Sequence, residues 1–325
     1  MRERIVVVLG AGASRGVSYR RNAPIPSPLD SDYFDLLQRF DRFEKDSGDV
    51  ENVLKWAQGL PFEYWRSMER CFYTIHSQAY LARKLRIAGT FPDDAEVVTS
   101  FVNATGALLR AAHGTRSCKF HTRLFKNFRS DDSIITFNYD LVPERSFKNI
   151  EAISSMPFGP WVYGRETVQK PTGWNAPWLL KLHGSYSWDY PRSGESSFRI
   201  RINAWEDLEE APGFRRFGTV KTEFPIFLPF WDKKVEQGPW LGLWRKAFDR
   251  LAKCTALIVW GYSLPKTDLK AYQLFRLARL ENRKLCVIDP SPETKDIWRK
   301  LLLTSKFWEY SSIEEFLETP PPWWR

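Results

Sequence analysis

Cysteine is scarce and scattered. Cys71, Cys118, Cys254 and Cys286 are the only four in 325 residues. No two form a C-x-x-C pair, which excludes a zinc ribbon and offers no disulfide framework. That usage predicts a reducing cytoplasm. Long apolar runs are also missing: no stretch approaches the ~18 uninterrupted apolar residues of a membrane span. The N-terminal run Ile5–Leu9 is too short for a signal peptide and ends at Gly10-Ala11-Gly12 instead of a cleavage-site pattern. Internal repeats are absent from the sequence as well.

What is abundant is aromatic. Phe, Trp and Tyr make up 15% of the chain and hydrophobic residues 43%, too many large apolar groups for a disordered protein. The length predicts roughly two domains, or one large domain carrying an insertion. A net charge of +9 leaves nucleic acid open as a partner, but Lys and Arg are interspersed with acids through most of the chain. One segment differs: Thr115 to Arg129 holds five basic residues and no acid. Its Phe120, Leu124 and Phe128 fall at i, i+4, i+8, opposite the charges, so it reads as an amphipathic helix with a solvated cationic face, and direct nucleic-acid binding is not favoured.

Five short aliphatic runs predict strands: Ile5–Leu9, Ser133–Thr136, Trp178–Leu182, Ala256–Trp260 and Lys284–Ile288. They are near-continuous, not alternating, as strands buried on both faces require, so the sheet is expected to be parallel. Some hundred residues of helical spacing separate the first two, too long for one crossover. A Rossmann-like α/β core is therefore expected from 1–30 plus 130–300, with a helical insertion over 31–130 and a C-terminal tail over 301–325. Helices are expected near Leu241–Leu251 and over Leu269–Leu280, the latter capped by Thr267 or Asp268. The tail from Ile313, ending Pro320-Pro321-Pro322-Trp323-Trp324-Arg325, is expected either to pack as a strap or to fray, and its exposed aromatics are a candidate contact surface.

Gly10-Ala11-Gly12-Ala13-Ser14 follows the first strand directly. A strand ending in G-x-G lets the backbone turn tightly and approach a phosphate. Here Arg15 occupies the place of the third glycine, and alone the motif fits a plain glycine turn as well as a nucleotide site. The other strands end comparably, in Asn138-Tyr139-Asp140, His183-Gly184-Ser185, Gly261-Tyr262-Ser263 and Asp289-Pro290-Ser291. In an open parallel sheet these carboxyl ends share one edge, so the polar residues are expected to converge on one crevice. Gly12-Ala13-Ser14-Arg15-Gly16 also satisfies the G-x-S-x-G of a serine hydrolase, with Asp140 and His183 downstream in the matching order. That fold expects an earlier strand and loop to complete its oxyanion hole, whereas this elbow follows the first strand. His113, Cys118 and His121 have metal-like spacing but no fourth partner, and no metal is expected. His76 is assigned to packing.

Taken in order, Gly10-Ala11-Gly12-Ala13-Ser14, Thr136-Phe137-Asn138-Tyr139-Asp140, Leu182-His183-Gly184 and Gly261-Tyr262-Ser263 resemble the NAD-binding core of sirtuins. More closely, they resemble the SIR2-like NADases of bacterial antiphage defence systems. Two departures stand out: the paired cysteines of a deacylase's zinc module are missing, and the loop following the first motif reads Ala23-Pro24-Ile25-Pro26-Ser27-Pro28-Leu29-Asp30. Both weaken lysine deacylation more than NAD cleavage. The resemblance implies an NAD+ glycohydrolase releasing nicotinamide and ADP-ribose. Gly10, Ala11, Gly12 and Ser14 would hold the pyrophosphate, Asn138 would orient the ribose or the water, and Asp140 would face the nicotinamide carboxamide. His183 would act on the ribose hydroxyls as base, Gly261 and Ser263 would receive the distal phosphate or ribose, and Asp289 would accept from the adenosine ribose. It further implies homo-oligomerisation and a sensor partner, an ATPase or a nucleic-acid-recognising protein. A non-catalytic module binding NAD or ADP-ribose is the alternative from another class.

Overall fold

The structure, a computed structural model, describes residues 3–15, 25–42, 48–87, 92–113, 117–148, 150, 162–163, 168–169, 176–185, 188–189, 201–202 and 238–324. Its centre is a six-stranded sheet of β1 (Ile5–Leu9), β2 (Ser133–Thr136), β3 (Trp178–Lys181), β4 (Ala256–Trp260), β5 (Lys284–Ile288) and β6 (Phe307–Tyr310). The strands lie in the order β6-β5-β4-β1-β2-β3, and every pairing is parallel. Ile5-Val6-Val7-Val8-Leu9 is β-branched along most of its length and wholly buried, which suits a central strand covered on both faces.

This is the order of a doubly wound Rossmann-like sheet, and its direction of winding reverses between β1 and β4. The expected α/β class and five of the strands are present, β3 ending one residue early at Lys181. The sixth strand was not anticipated. Of the two expectations for the tail it is packing that is seen: after β6 it forms a helix, Ile313–Glu318, and the half-buried Trp323 and Trp324 pack against the sheet core. Trp324 sets its ring against Phe128 at 5.8 Å and Phe316 at 5.3 Å.

The long segment between β1 and β2 contributes α1 (Ala11–Arg15), α2 (Tyr33–Asp41), α3 (Gly48–Gln58), α4 (Met68–Leu85), α5 (Asp94–His113) and α6 (Lys119–Phe125). Helices α2 to α5 enclose a core of their own, drawn from Ile25 to Ala112 and centred on Phe34, Phe72 and Phe101. His76 stacks on Phe72 there. The basic helix α6 belongs instead to the sheet core, where it buries Leu124 and Phe125; it stops before Phe128, which is nonetheless buried.

Beyond β2 lie α7 (Val142–Lys148), α8 (Gly238–Lys253), α9 (Leu269–Leu277) and α10 (Pro292–Leu302). α8 extends beyond the expected Leu241–Leu251. α9 stops short of Leu280 because Arg279 turns to positive φ. Its cap is Asp268, which accepts from the Ala271 N–H, whereas Thr267 bonds to Glu69 of α4. No helix among the described residues is long and apolar enough to cross a membrane.

Candidate functional site

The C-terminal ends of the strands open into a cleft of about 670 Å³, within the size range of nucleotide and cofactor pockets. Ala11 and Gly12 after β1, Asn138 and Asp140 after β2, His183 after β3, Gly261 and Ser263 after β4, and Asp289 after β5 all line it. Residues expected from five separate strand ends thus meet at the reversal point of the sheet, where open α/β sheets bind ligands. Tyr33, Glu69 and Thr105 of the helical unit close one side, and Ser311 to Glu314 another.

The glycines work differently from a plain phosphate cradle. Gly10 N–H donates to the Trp260 carbonyl at 3.1 Å and Gly12 N–H to the Gly261 carbonyl at 2.9 Å, so both donors are engaged within the protein. A Cβ on Gly10 would lie 2.4 Å from the Gly261 oxygen, and one on Gly12 would lie 2.8 Å from the Gly261 Cα. What the motif secures is the contact of two turns, one after β1 and one after β4. Arg15, standing in the third glycine's place, also lines the cleft; it donates to the Ser27 carbonyl at 3.2 Å and pairs with Asp32.

Behind the glycines lies a buried polar chain. Ser14 donates to Asp140 Oδ2 at 2.7 Å, and Asn138 Nδ2 donates to the Gly10 carbonyl at 2.8 Å and to Ser14 Oγ at 3.3 Å. A carbonyl can only accept, so the Asn138 amide orientation is fixed and its Oδ1 is the atom left for an incoming donor. Asp140 is buried, which alone would raise its pKa; His113, Lys181, the Ser14 hydroxyl and the Val142 N–H outweigh burial and hold it below the ordinary aspartate value. Lys181 Nζ donates to the Asp140 carbonyl and pairs with Glu144 at 2.9 Å, both side chains almost wholly buried.

The serine-hydrolase reading does not fit this geometry. Ser14 is 1% exposed and gives its proton to Asp140, whereas a nucleophilic serine needs a histidine at that distance. His183 faces Asp268 instead, with Nε2 3.0 Å from Oδ2. Asp268, taken from the sequence as a helix cap alone, is thus also a site residue.

Asp289 uses Oδ1 to accept the Ser291 N–H at 2.8 Å, as a turn residue does. Burial raises its pKa above the ordinary aspartate value, and it keeps a second oxygen. His121 lies against Trp260 with ring centres 4.3 Å apart, and burial pushes its pKa down to about 3. Burial also lowers His113. Among the described residues no group of three or more His, Cys, Asp and Glu is arranged to hold a metal ion. The four cysteines are buried and none is in a disulfide among the described residues, and burial pushes the Cys71 and Cys254 thiols up to about 12, far from the thiolate a nucleophile needs.

No curated protein matches the chain. Similar solved structures include a Sir2 enzyme, 15% identical, aligned over 97% of this chain and 89% of that one at a TM-score of 0.41. Another is a Sir2 homologue in complex with NAD, 12% identical, aligned over 97% of this chain and 86% of that one at a TM-score of 0.35. Likenesses this distant carry no weight for the chemistry. A family model for the SIR2-like domain matches residues 132–315. That span takes in Asn138, Asp140, His183, Gly261, Ser263, Asp268 and Asp289, while the Gly10–Ser14 turn precedes it. Because the match covers more than half of the chain, the chain belongs to the SIR2-like domain family.

Proposed function

We propose that the chain is an NAD+ glycohydrolase that cleaves the nicotinamide–ribose bond. The observation that carries the reading is the placement of Asn138 Oδ1 and His183 in one cleft behind a nucleotide-sized opening. A binding module needs neither a fixed amide acceptor nor a buried histidine held by a carboxylate. Membership of the SIR2-like domain family, with the resemblance of its motifs to the NAD-binding core of sirtuins, supports the choice of dinucleotide.

As the C1′–N bond breaks, its electron pair goes to the nicotinamide ring nitrogen and C1′ becomes oxocarbenium-like. Water then adds there and loses a proton. Asn138 Oδ1 orients the water or the ribose hydroxyl, and His183 takes the proton as base. Asp140, kept ionised by its partners, faces the nicotinamide end. Arg15 supplies positive charge for the pyrophosphate beside Ala11 and Gly12. Gly261 and Ser263 border the distal phosphate and ribose, and Asp289 accepts from the adenosine ribose through its second oxygen. NAD is the substrate, with no metal in the mechanism.

Unrestrained NAD hydrolysis would be lethal to the cell holding it. We therefore place the protein as a cytoplasmic, oligomeric effector of antiphage defence, released by a sensor protein such as an ATPase or a nucleic-acid-recognising partner.

The test is nicotinamide release from NAD by wild type, His183→Ala and Asn138→Ala. Loss of the base should reduce turnover by about 10²–10⁴-fold, and loss of the amide by about 10²-fold or more. Cleavage that survives both changes would sink the mechanism.

A further inference from the structure

One side chain ties together the two strand ends that carry the groups assigned to catalysis. Lys181, the last residue of β3, lies in register with Thr136, the last residue of β2, and stands two positions before His183. Its Nζ donates to the backbone carbonyl of Asp140, beyond β2, and pairs with Glu144 Oε1 of α7 at 2.9 Å. The Lys181 and Glu144 side chains are 1% and 2% exposed. From Asp140 the chain of contacts runs on to Asn138: the Asp140 carboxylate accepts from Ser14, and Ser14 accepts from the Asn138 amide.

Stability does not account for this arrangement. Apolar residues of the same size often serve a core as well as a buried ion pair, or better, because they spare it the desolvation of two charges. Glu144 Oε2, moreover, is buried with no hydrogen-bond partner among the described residues. A pair that leaves one of its own oxygens unsatisfied is poorly built for stability; its effect lies at Asp140.

We propose that Lys181 is a positioning residue of this site: its ammonium, held by Glu144, fixes the Asn138–Asp140 turn through the Asp140 carbonyl and keeps the Asp140 carboxylate charged. Burial favours the neutral acid at Asp140, while His113 of α5, Lys181 of β3, the Ser14 hydroxyl and the Val142 N–H favour the anion. His121 of α6 and Glu144 of α7 also lie within range of Asp140, Arg145 of α7 lies within range of His113, and His183 lines the same cleft. Burial lowers both His113 and His121, so near neutral pH these imidazoles are uncharged and give Asp140 no full positive charge. The ammonium gives one, and because it sits on a backbone atom it holds the turn as well.

The proposal rests on Asn138 and Asp140 serving the nicotinamide end, but its first readout needs no turnover. Aspartate labelled with ¹³C at Cγ, with Asp140→Asn to identify the signal, follows the Asp140 carboxyl against pH by NMR. In Lys181→Met/Glu144→Leu, where the pair carries no charge, the Asp140 midpoint should rise by about one pH unit or more relative to wild type. In Glu144→Gln the ammonium stays on the carbonyl, so the midpoint should stay at or below the wild-type value. Lys181→Gln keeps a donor for the carbonyl without the charge, and should show the rise even if the double variant does not fold. Nicotinamide release is the second readout: kcat of the double variant at pH 7 should fall by about tenfold or more, with the KM for NAD moving less. A double-variant midpoint equal to that of wild type, a Glu144→Gln midpoint that rises, or a folded double variant with the wild-type kcat would each overturn the proposal. A raised Asp140 midpoint in the double variant, beside a wild type that leaves NAD intact, would count against glycohydrolysis while upholding the action of Lys181 on Asp140.

Discussion

Gly261→Ala is expected to destabilise the protein by about 3 kcal/mol, the sum of overpacking at a rigid contact and a side chain forced into the left-handed region. Gly261 has φ of +62°, and an added Cβ would lie 2.1 Å from the Ala13 nitrogen and 2.3 Å from the Gly12 carbonyl carbon. Both obstacles are backbone, so no rotamer change relieves them. The turn after β4 would have to leave the turn after β1, breaking the Gly12 N–H bond to Gly261 and opening the floor of the cleft. NAD affinity should fall with stability. Gly48→Ala is the control: nothing lies within 4 Å of its Cβ position, it begins α3, and it should be neutral or stabilising by about 0.5 kcal/mol. Urea unfolding of the two variants, with calorimetric NAD titration, checks both. A Gly261→Ala protein as stable as the wild type would mean the two turns are not in contact.

The second large effect lies behind the site. Lys181→Met removes the ammonium paired with Glu144 at 2.9 Å, and stranding a buried carboxylate costs about 3–5 kcal/mol. Burial already raises the Glu144 pKa, against the lowering effect of Lys181; without the lysine it rises further. A carboxyl whose pKa is higher folded than unfolded binds more protons in the native state, so stability falls as pH rises. The variant should therefore recover relative to wild type on going from pH 7 toward pH 5, above the ordinary glutamate value of about 4.3. Pairing it with Glu144→Leu should restore much of the loss at pH 7. Urea midpoints of the three variants at both pH values give the answer. A single variant with a pH-independent deficit would show that Glu144 is not the stranded group.

The interior strands were legible because strands covered on both faces must be apolar throughout, as Ile5–Leu9 and Ala256–Trp260 are. Phe307-Trp308-Glu309-Tyr310 lacked that signature. It is an edge strand, hydrogen-bonded among the described residues to β5 alone, and carries a charged, exposed Glu309. The cleft was legible for a topological reason: parallel strands put their carboxyl ends on one edge, so Asn138, His183, Gly261 and Asp289 could be grouped before any distance was known. What those residues do there was less legible. Gly10 and Gly12 looked like phosphate ligands because a glycine turn does not reveal which backbone it approaches, and here it approaches Gly261. Asp268 looked like a helix cap and is one; its second oxygen serves a histidine on a distant strand, a pairing no local pattern encodes.

The central claim is that NAD lies along this cleft with its nicotinamide end at Asn138 and His183. A crystal of His183→Ala soaked with NAD tests it most directly, since the variant should bind without turnover. The account predicts the nicotinamide ribose beside Asn138, the pyrophosphate near Ala11 and Arg15, and the adenosine ribose within hydrogen-bond distance of Asp289. A dinucleotide bound elsewhere, or lying in the cleft with its adenosine at Asn138, would contradict it.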